Sequence, residues 1–430
     1  MNQRFYKYFL FFLLLCFNCN KTFLVAKEIG ELYGELILRT FPFEAALLEK
    51  GIPLTPKKIT NEWKSYKLKK GYHHLQLRAE GYFSKDLRIV LEDTLEIEEK
   101  LERANSRLKL VGETSTGLGP KSVLFHPAAP LFMITQLMGK GIDMVPFPDL
   151  YPRTIIPLGS KTGWVEFCVL SQKRELWVSQ MLTNEIYVLD LGSLTPKTSF
   201  PIEGVWPKVI CTDTEELFAY VSNWESKSVS VVDTSKKKVV AVIPVSGVPR
   251  GMAYSLAGLL YVCLFEPGGI DVIDTQIRKR VRTIPMGHGA TRHIVLDTQR
   301  HFAYISDMAT GRVTKFSLIT EKPVAGLRVG SNPNTLALSS DGRYLFVSVR
   351  GKNNAEDYQK KGPEFGKIVV IDTVPFQVVD WVWGRNQPTG LAISPDNRYL
   401  AFTDFLDNNL EVYDISGLKE PNQPLLEFAQ

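Results

Sequence analysis

The chain has 430 residues, of which 44% are apolar and 23% charged. That is ordinary globular composition with room for a large core, and it is too long for one average domain. The formal net charge of +5 comes without any Lys/Arg tract, which leaves no case for nucleic acid as a partner.

The first residues read as an export signal. Arg4 and Lys7 supply a positive flank, and Tyr8–Phe17 is almost wholly apolar. A run of about ten residues is too short for a bilayer, which needs roughly 20. Two ends to this segment compete. Leu24, Val25 and Ala26 form a small-residue cleavage site, which bounds the segment at residues 1–26. Alternatively Cys16 or Cys19 carries a lipid. The stretch Leu15-Cys16-Phe17-Asn18-Cys19 resembles the loose lipoprotein box of some bacteria, although no small residue occupies the two positions before either cysteine. That resemblance implies an exported cell-envelope protein, lipid-anchored to a bacterial membrane, with Cys19 as the anchor. Asn20 stands where a c-type haem site needs His, so the Cys-x-x-Cys spacing is not a haem attachment.

Residues 33–101 form a separate small unit. Leu36–Leu38, Ala46–Leu48, Tyr72–Arg78 and Leu87–Leu91 read as short strands, with polar and apolar residues alternating over His74–Arg78. Gly51, Pro53 and Pro56 punctuate the turns. Pro42, Ala45, Gly51 with Leu54-Thr55-Pro56, Leu68–His73 and Gly81-Tyr82 together resemble the PEGA-type domain, although Phe43-Glu44 replaces its central Glu-Gly. The resemblance implies a small β-sandwich. His73 and His74 are strand neighbours that point to opposite faces, so they are expected at solvent or an edge and not on one metal ion. Glu96–Arg107 is highly charged and reads as a linker or short helix.

From Gly119 onward one pattern recurs seven times. Its starts are Pro120, Trp164, Pro207, Pro249, Thr291, Pro333 and Pro388, spaced by 44, 43, 42, 42, 42 and 55 residues. Each start opens an apolar strand a. A polar turn, a strand b ending in Ser or Thr, and a strand c usually ending in Asp follow. A period near 42 built from short strands predicts a β-propeller. The fold expected is all-β: a seven-bladed β-propeller over residues 108–430, preceded by the small β-sandwich. Asp190, Asp233, Asp274, Asp372 and Asp414 should close turns by accepting their own downstream N–H groups. Cys168, Cys211 and Cys263 are an odd set, expected as buried free thiols between blades. Tyr220-Val221-Ser222-Asn223 with Val229–Thr234 resembles the YVTN family of propeller repeats, and the likeness extends over roughly 300 residues. Membership would imply a bacterial or archaeal envelope protein, often without known catalysis. The ring needs a closing strand, either Leu108–Val111 or Pro424–Phe428.

In such a blade the d-to-a and b-to-c connections share one rim. The residue after each start lies there, beside the central channel: Lys121, Val165, Lys208, Arg250, Arg292, Asn334 and Thr389. Four bases around one mouth focus potential. They predict an anion-binding mouth using Lys121, Lys208, Arg250, Arg292, Asn334 and Asp404. Strand b ends at the same rim with Gln136, Gln180, Asn223, Asp307 and Asp404, which are expected to pair with those bases. An insertion within Arg350–Gly366 reads as a mobile flap over the mouth. Gly287–His293 and Arg350–Asn353 resemble parts of the seven-bladed lactonase family. That would make Arg292 and Arg350 oxyanion stabilisers and His293 a general acid or base, with Asp307 in place of the family's Glu. Thr291 and Val349 depart from its Pro and Asn. With no nucleophile elbow, phosphate loop or metal-ligand spacing, no cofactor and no metal are expected. The favoured function is non-enzymatic: an envelope binding or scaffold protein whose rim takes an envelope protein, a glycan or an anionic small molecule. Lactonase-like hydrolysis is the alternative.

Overall fold

The computed structural model describes residues 32–151, 153–287 and 289–419. The signal segment, Cys19, His288 and the Pro424–Phe428 candidate strand lie outside the described residues. Two compact units emerge. One runs to Ala79 and takes in Ser84–Glu99; the other holds Glu80–Phe83 and everything from Lys100 on.

The first unit is two four-stranded sheets built from β1 (Tyr33–Phe41), β2 (Ala46–Glu49), β3 (Ile52–Pro53), β4 (Lys58–Ile59), β5 (Lys64–Lys69), β6 (Gly71–Arg78), β7 (Lys85–Leu91) and β8 (Thr94–Lys100). Their orders are β4-β5-β1-β8 and β3-β2-β6-β7. Alternation sets the core. Leu36 and Leu38 of β1, Leu75 and Leu77 of β6, and Leu87 and Leu91 of β7 are buried, each stabilising by about 1.5–3 kcal/mol. Glu96–Lys100 is strand, not helix. Leu95 and Ile97 alternate with glutamates, and Glu98 and Glu99 pair with Arg39 at 2.8 Å and Lys85 at 2.6 Å. The two histidines do face opposite ways, but His73 is not an edge residue. It is 7% exposed, with Nδ1 2.8 Å from Glu49 Oε1 and Nε2 2.7 Å from the Lys69 carbonyl. His74 stays at the surface, 3.8 Å from Asp86.

Among the described residues, the second unit contains seven four-stranded sheets. Their a strands open at Pro120, Trp164, Pro207, Pro249, Thr291, Pro333 and Pro388, the seven starts of the repeat. Each a strand touches the a strands of the sheets before and after it, and the seventh touches the first, so the ring is closed. The outer strand of the seventh sheet comes from the N-terminal side: β9 (Lys109–Ser115) pairs with Asn409–Asp414. Apolar layers fill the space between blades. Trp177, Ile186, Val188 and Phe200 of blade two meet Ile210, Ala219, Val221 and Val232 of blade three, for example. Cys263 is buried, whereas Cys168 and Cys211 are only half-buried, because each packs on the margin of such a layer. All three thiols are free. Burial pushes Cys168 up to about 12 and the other two higher still, so they are inert at neutral pH. The strand-c aspartates act on their turns as expected. Asp190 accepts from Gly192 N and Ser193 N, and Asp233 from Ser235 N and Lys236 N.

The Ser or Thr near the end of strand b has a purpose that its recurrence alone did not disclose. Every a strand slips register within its first residues. Such a bulge leaves an N–H without a ladder partner. In blade three, Ser222 Oγ accepts that N–H from Val209 at 3.0 Å and donates to the Arg250 carbonyl of blade four at 3.0 Å. Thr135, Ser179, Ser306, Ser348 and Thr403 do the same between their own blades and the next. Only blade four differs, with Cys263, a weak donor, at that position. Ser222→Ala orphans a buried N–H and a carbonyl together and should cost about 1–3 kcal/mol in urea unfolding. Cys263→Ser should cost nothing measurable, because its hydroxyl enters a position built for one.

The link into the propeller is clamped. Arg103 Nη1 lies 2.9 Å from Asp380 Oδ1, Arg107 N donates to Asp380 Oδ2 at 2.6 Å, and Ser106 Oγ reaches the same oxygen at 3.3 Å. Lys100 Nζ meets the fully buried Glu411 at 2.5 Å.

Candidate functional site

The residues after the bulges converge. Lys121 of blade one is depressed well below its ordinary pKa by burial and then by Arg292, Arg350 and Arg250, from blades five, six and four. Side chains from blades that far apart around a ring feel one another only at its axis. Lys208 of blade three belongs to the same group: burial, then Arg250 and Arg292, lower it to about 7. Burial and the neighbouring Arg250 and Arg350 push Arg292 down as well. Arg350 joins them through Arg250, and the carboxylate that acts on the other four is Glu166 of blade two.

The contacts fix some donors and leave others open. Arg250 Nη2 donates to Glu166 Oε1 at 3.0 Å, while its buried Nη1 has no partner among the described residues. Arg292 Nε donates to Asn334 Oδ1 at 2.6 Å. Arg350 Nη2 donates to Gln387 Oε1, while its buried Nε has no partner among the described residues. An arc of rings lies against the bases. Lys208 sits 5.5 Å from the Trp206 ring centre and 5.7 Å from that of Trp224. Trp224 lies 5.0 Å from Phe265, which in turn is 5.8 Å from the Arg292 guanidinium. Lys121 lies 5.4 Å from the Phe405 ring centre. Trp206 and Gln387 hold φ of 61° and 62°, a region in which blades one and two place Gly119 and Gly163. Keeping a side chain there costs on the order of 1 kcal/mol or more.

Lys121, Lys208, Arg250, Arg292 and Asn334 therefore meet at the axis, and Asp404 does not. Asp404 is fully buried inside blade seven with Glu411 and Lys100, accepts from Arg385 N at 2.8 Å, and is pushed well up, first by burial and then by Glu411. The strand-b ends as a set fail to pair with the bases. Gln180 Nε2 donates to the Thr162 carbonyl, Asn223 Nδ2 reaches Ser228 and Ser230, and Asp307 Oδ1 accepts from Thr310 N. Alternation is the reason. The Ser or Thr just before points to the next blade, so the terminal residue turns back to its own loops. The positive field is consequently not cancelled from that side. The insertion is also no free flap. Lys352 N donates to Glu364 Oε1 at 2.9 Å, Lys361 pairs with Asp407 at 2.9 Å, and Gln387 Nε2 holds the Tyr358 carbonyl at 2.6 Å. Its Tyr358 phenol lies near enough to Arg292 and Arg350 to affect their charge.

A hydrolytic dyad is not assembled. Burial lowers His293 to about 4, so it is neutral and a poor base at pH 7, and its Nδ1 faces the Leu336 N–H at 3.4 Å. Asp307 caps its own turn and does not orient His293. Sequence reasoning missed Glu166, Gln387 and the aromatic arc as members of this group. Glu166 follows its start by two because the bulge offsets the pattern, and the rings belong to connecting loops that no repeat period aligns.

Residues 286–428 match the family described as SMP-30/Gluconolactonase/LRE-like region. The chain is 35% identical over 400 residues to Antigen Lp49 of Leptospira interrogans, spanning 89% of this chain and 85% of that one. It is 23% identical over 202 residues to the uncharacterized protein YncE of Salmonella typhimurium, spanning 43% and 56%. In fold it is similar to Kuenenia stuttgartiensis hydrazine synthase, with a TM-score of 0.59, 18% identity, and coverage of 70% and 97%.

Proposed function

The chain belongs to the family of the Leptospira antigen Lp49, and from that premise we propose a non-enzymatic binding protein of the bacterial cell envelope whose propeller mouth holds an anion. One observation carries the reading: Arg250 Nη1 and Arg350 Nε are buried donors without acceptors, in a group where bases outnumber carboxylates. Orphaned buried charge is costly, and a bound anion offsets that cost. The repeats are read as YVTN-type and the N-terminal unit as PEGA-like, on their sequence resemblances. Export through residues 1–26 and attachment through a lipid on Cys19 suit a protein whose relative is named an antigen. The ligand is an anionic small molecule, or an acidic group of a glycan or an envelope protein. A hydrolase is less well supported: burial keeps His293 neutral at pH 7 despite the nearby Glu166, and among the described residues no carboxylate hydrogen-bonds to its ring.

Calorimetric titration with sulfate at fixed ionic strength tests the anion site. The wild type should bind one sulfate, and excess sulfate should raise its melting temperature by mass action. Arg350→Gln should weaken binding at least about tenfold, the worth of a charge-assisted hydrogen bond. No sulfate binding by the wild type would remove the reading.

A further inference from the structure

Resting on the anion-binding reading, we infer that the mouth takes a phosphate or sulfate ester carried on a ring: Arg250, Arg292 and Arg350 hold the oxyanion, and Trp206, Trp224 and Phe265 stack the ring. The first half follows from how the donors converge. The three guanidinium groups come from three consecutive blades, so they approach the axis from different sides. Nη1 of Arg250 and Nε of Arg350 are the uncommitted buried nitrogens. Arg292 is committed through Nε to Asn334, and among the described residues its terminal nitrogens donate to nothing else. A carboxylate offers two oxygens in one plane. A phosphate or sulfate monoester offers three, arranged as a tripod, one for each guanidinium. The surplus of bases over Glu166 also favours a phosphate monoester, which approaches two negative charges at neutral pH, over a carboxylate.

The second half follows from continuity. Rings and cations alternate from the rim to the oxyanion site: Trp206 and Trp224 flank Lys208 at 5.5 and 5.7 Å, Trp224 meets Phe265 at 5.0 Å, and Phe265 lies 5.8 Å from Arg292. Trp206 is 39% exposed despite its size, and its strained backbone holds it there. A ring attached to an oxyanion on Arg292 would lie within reach of these faces, and stacking on such faces is tolerant of ring type.

Titrations at pH 7 and constant ionic strength compare inorganic phosphate, phenyl phosphate, benzoate, glucose 6-phosphate and AMP. Phenyl phosphate should bind at least about tenfold more tightly than either inorganic phosphate or benzoate. Trp224→Ala, with Trp206→Ala as a second variant should the first not fold, should abolish the gain over phosphate and leave phosphate affinity within about twofold. A gain with glucose 6-phosphate supports a sugar ester as the natural class, and a gain with AMP alone supports a nucleotide. If no ester exceeds phosphate, the ring is wrong. If benzoate equals phenyl phosphate, the oxyanion is wrong. Both of those results leave the anion site standing, whereas binding of no anion at all removes that reading too.

Discussion

Asp380→Ala should lower the stability of the propeller by about 3–5 kcal/mol, the usual cost of breaking a buried ion pair from one side. Asp380 is fully buried and accepts from Arg103, Ser106 and the amides of Arg107 and Trp381. Removing it takes the buried counter-charge from Arg103 and Arg107, whose other acceptors include the Trp381 and Val379 carbonyls, at the point where the chain turns into β9. The outer strand of the seventh sheet is then held by its ladder bonds, the packing of Leu108 and the Arg385–Glu113 pair, without the clamp ahead of it. The melting temperature should fall by roughly 5–10 °C. Asp380→Asn should fall between the two, since it keeps one acceptor and loses the charge. A melting temperature for Asp380→Ala within about 2 °C of the wild type would show that the clamp contributes little.

The second large effect runs the other way. Lys121→Met should stabilise the ligand-free protein by about 1–2 kcal/mol and weaken sulfate binding. Lys121 is half-buried against Phe405, and its ammonium is opposed by Arg292, Arg350 and Arg250. Met keeps the apolar stem and drops the charge. Lys208 makes the same conflict visible through pH. Its folded pKa, about 7, lies below the ordinary 10.5, so between those values the unfolded chain binds the extra proton. Stability of the empty protein therefore rises with pH from 7 toward 10. Sulfate keeps its charge over this range, so its affinity should fall, several-fold, as pH rises through about 7 and Lys208 loses its proton. Lys208→Met should flatten both profiles. Affinity independent of pH in the wild type would remove Lys208 from the site.

The period of the repeat located all seven inner strands to the residue, because each begins at a turn with its own chemistry. It also pointed to four of the five bases, since equivalent positions in a ring share an axis. Arg350 entered the reading only as a catalytic candidate, because it leaves strand b at an insertion that breaks the period. Asp307 and Asp404 were misplaced by one step of strand alternation. That step cannot be seen until the preceding hydroxyl is known to bridge two blades. His73 is inner and His74 outer, a distinction a strand pattern does not carry, since it gives two faces without saying which is inner. The choice of closing strand depended on a pairing between opposite ends of the repeat array, and no local pattern encodes that.

That pairing also bears on how the molecule is made. Lys109 lies opposite Asp414 in the last sheet. A chain emerging N-terminus first presents β9 at once and its partner only after every blade between them has been synthesised. Until then an unmatched edge travels with the nascent protein. Contacts so distant in sequence form slowly, and unpaired edges invite association with other chains. Maturation of this ring therefore waits on its final residues, and a chain cut short inside blade seven would leave a strand seeking a mate elsewhere.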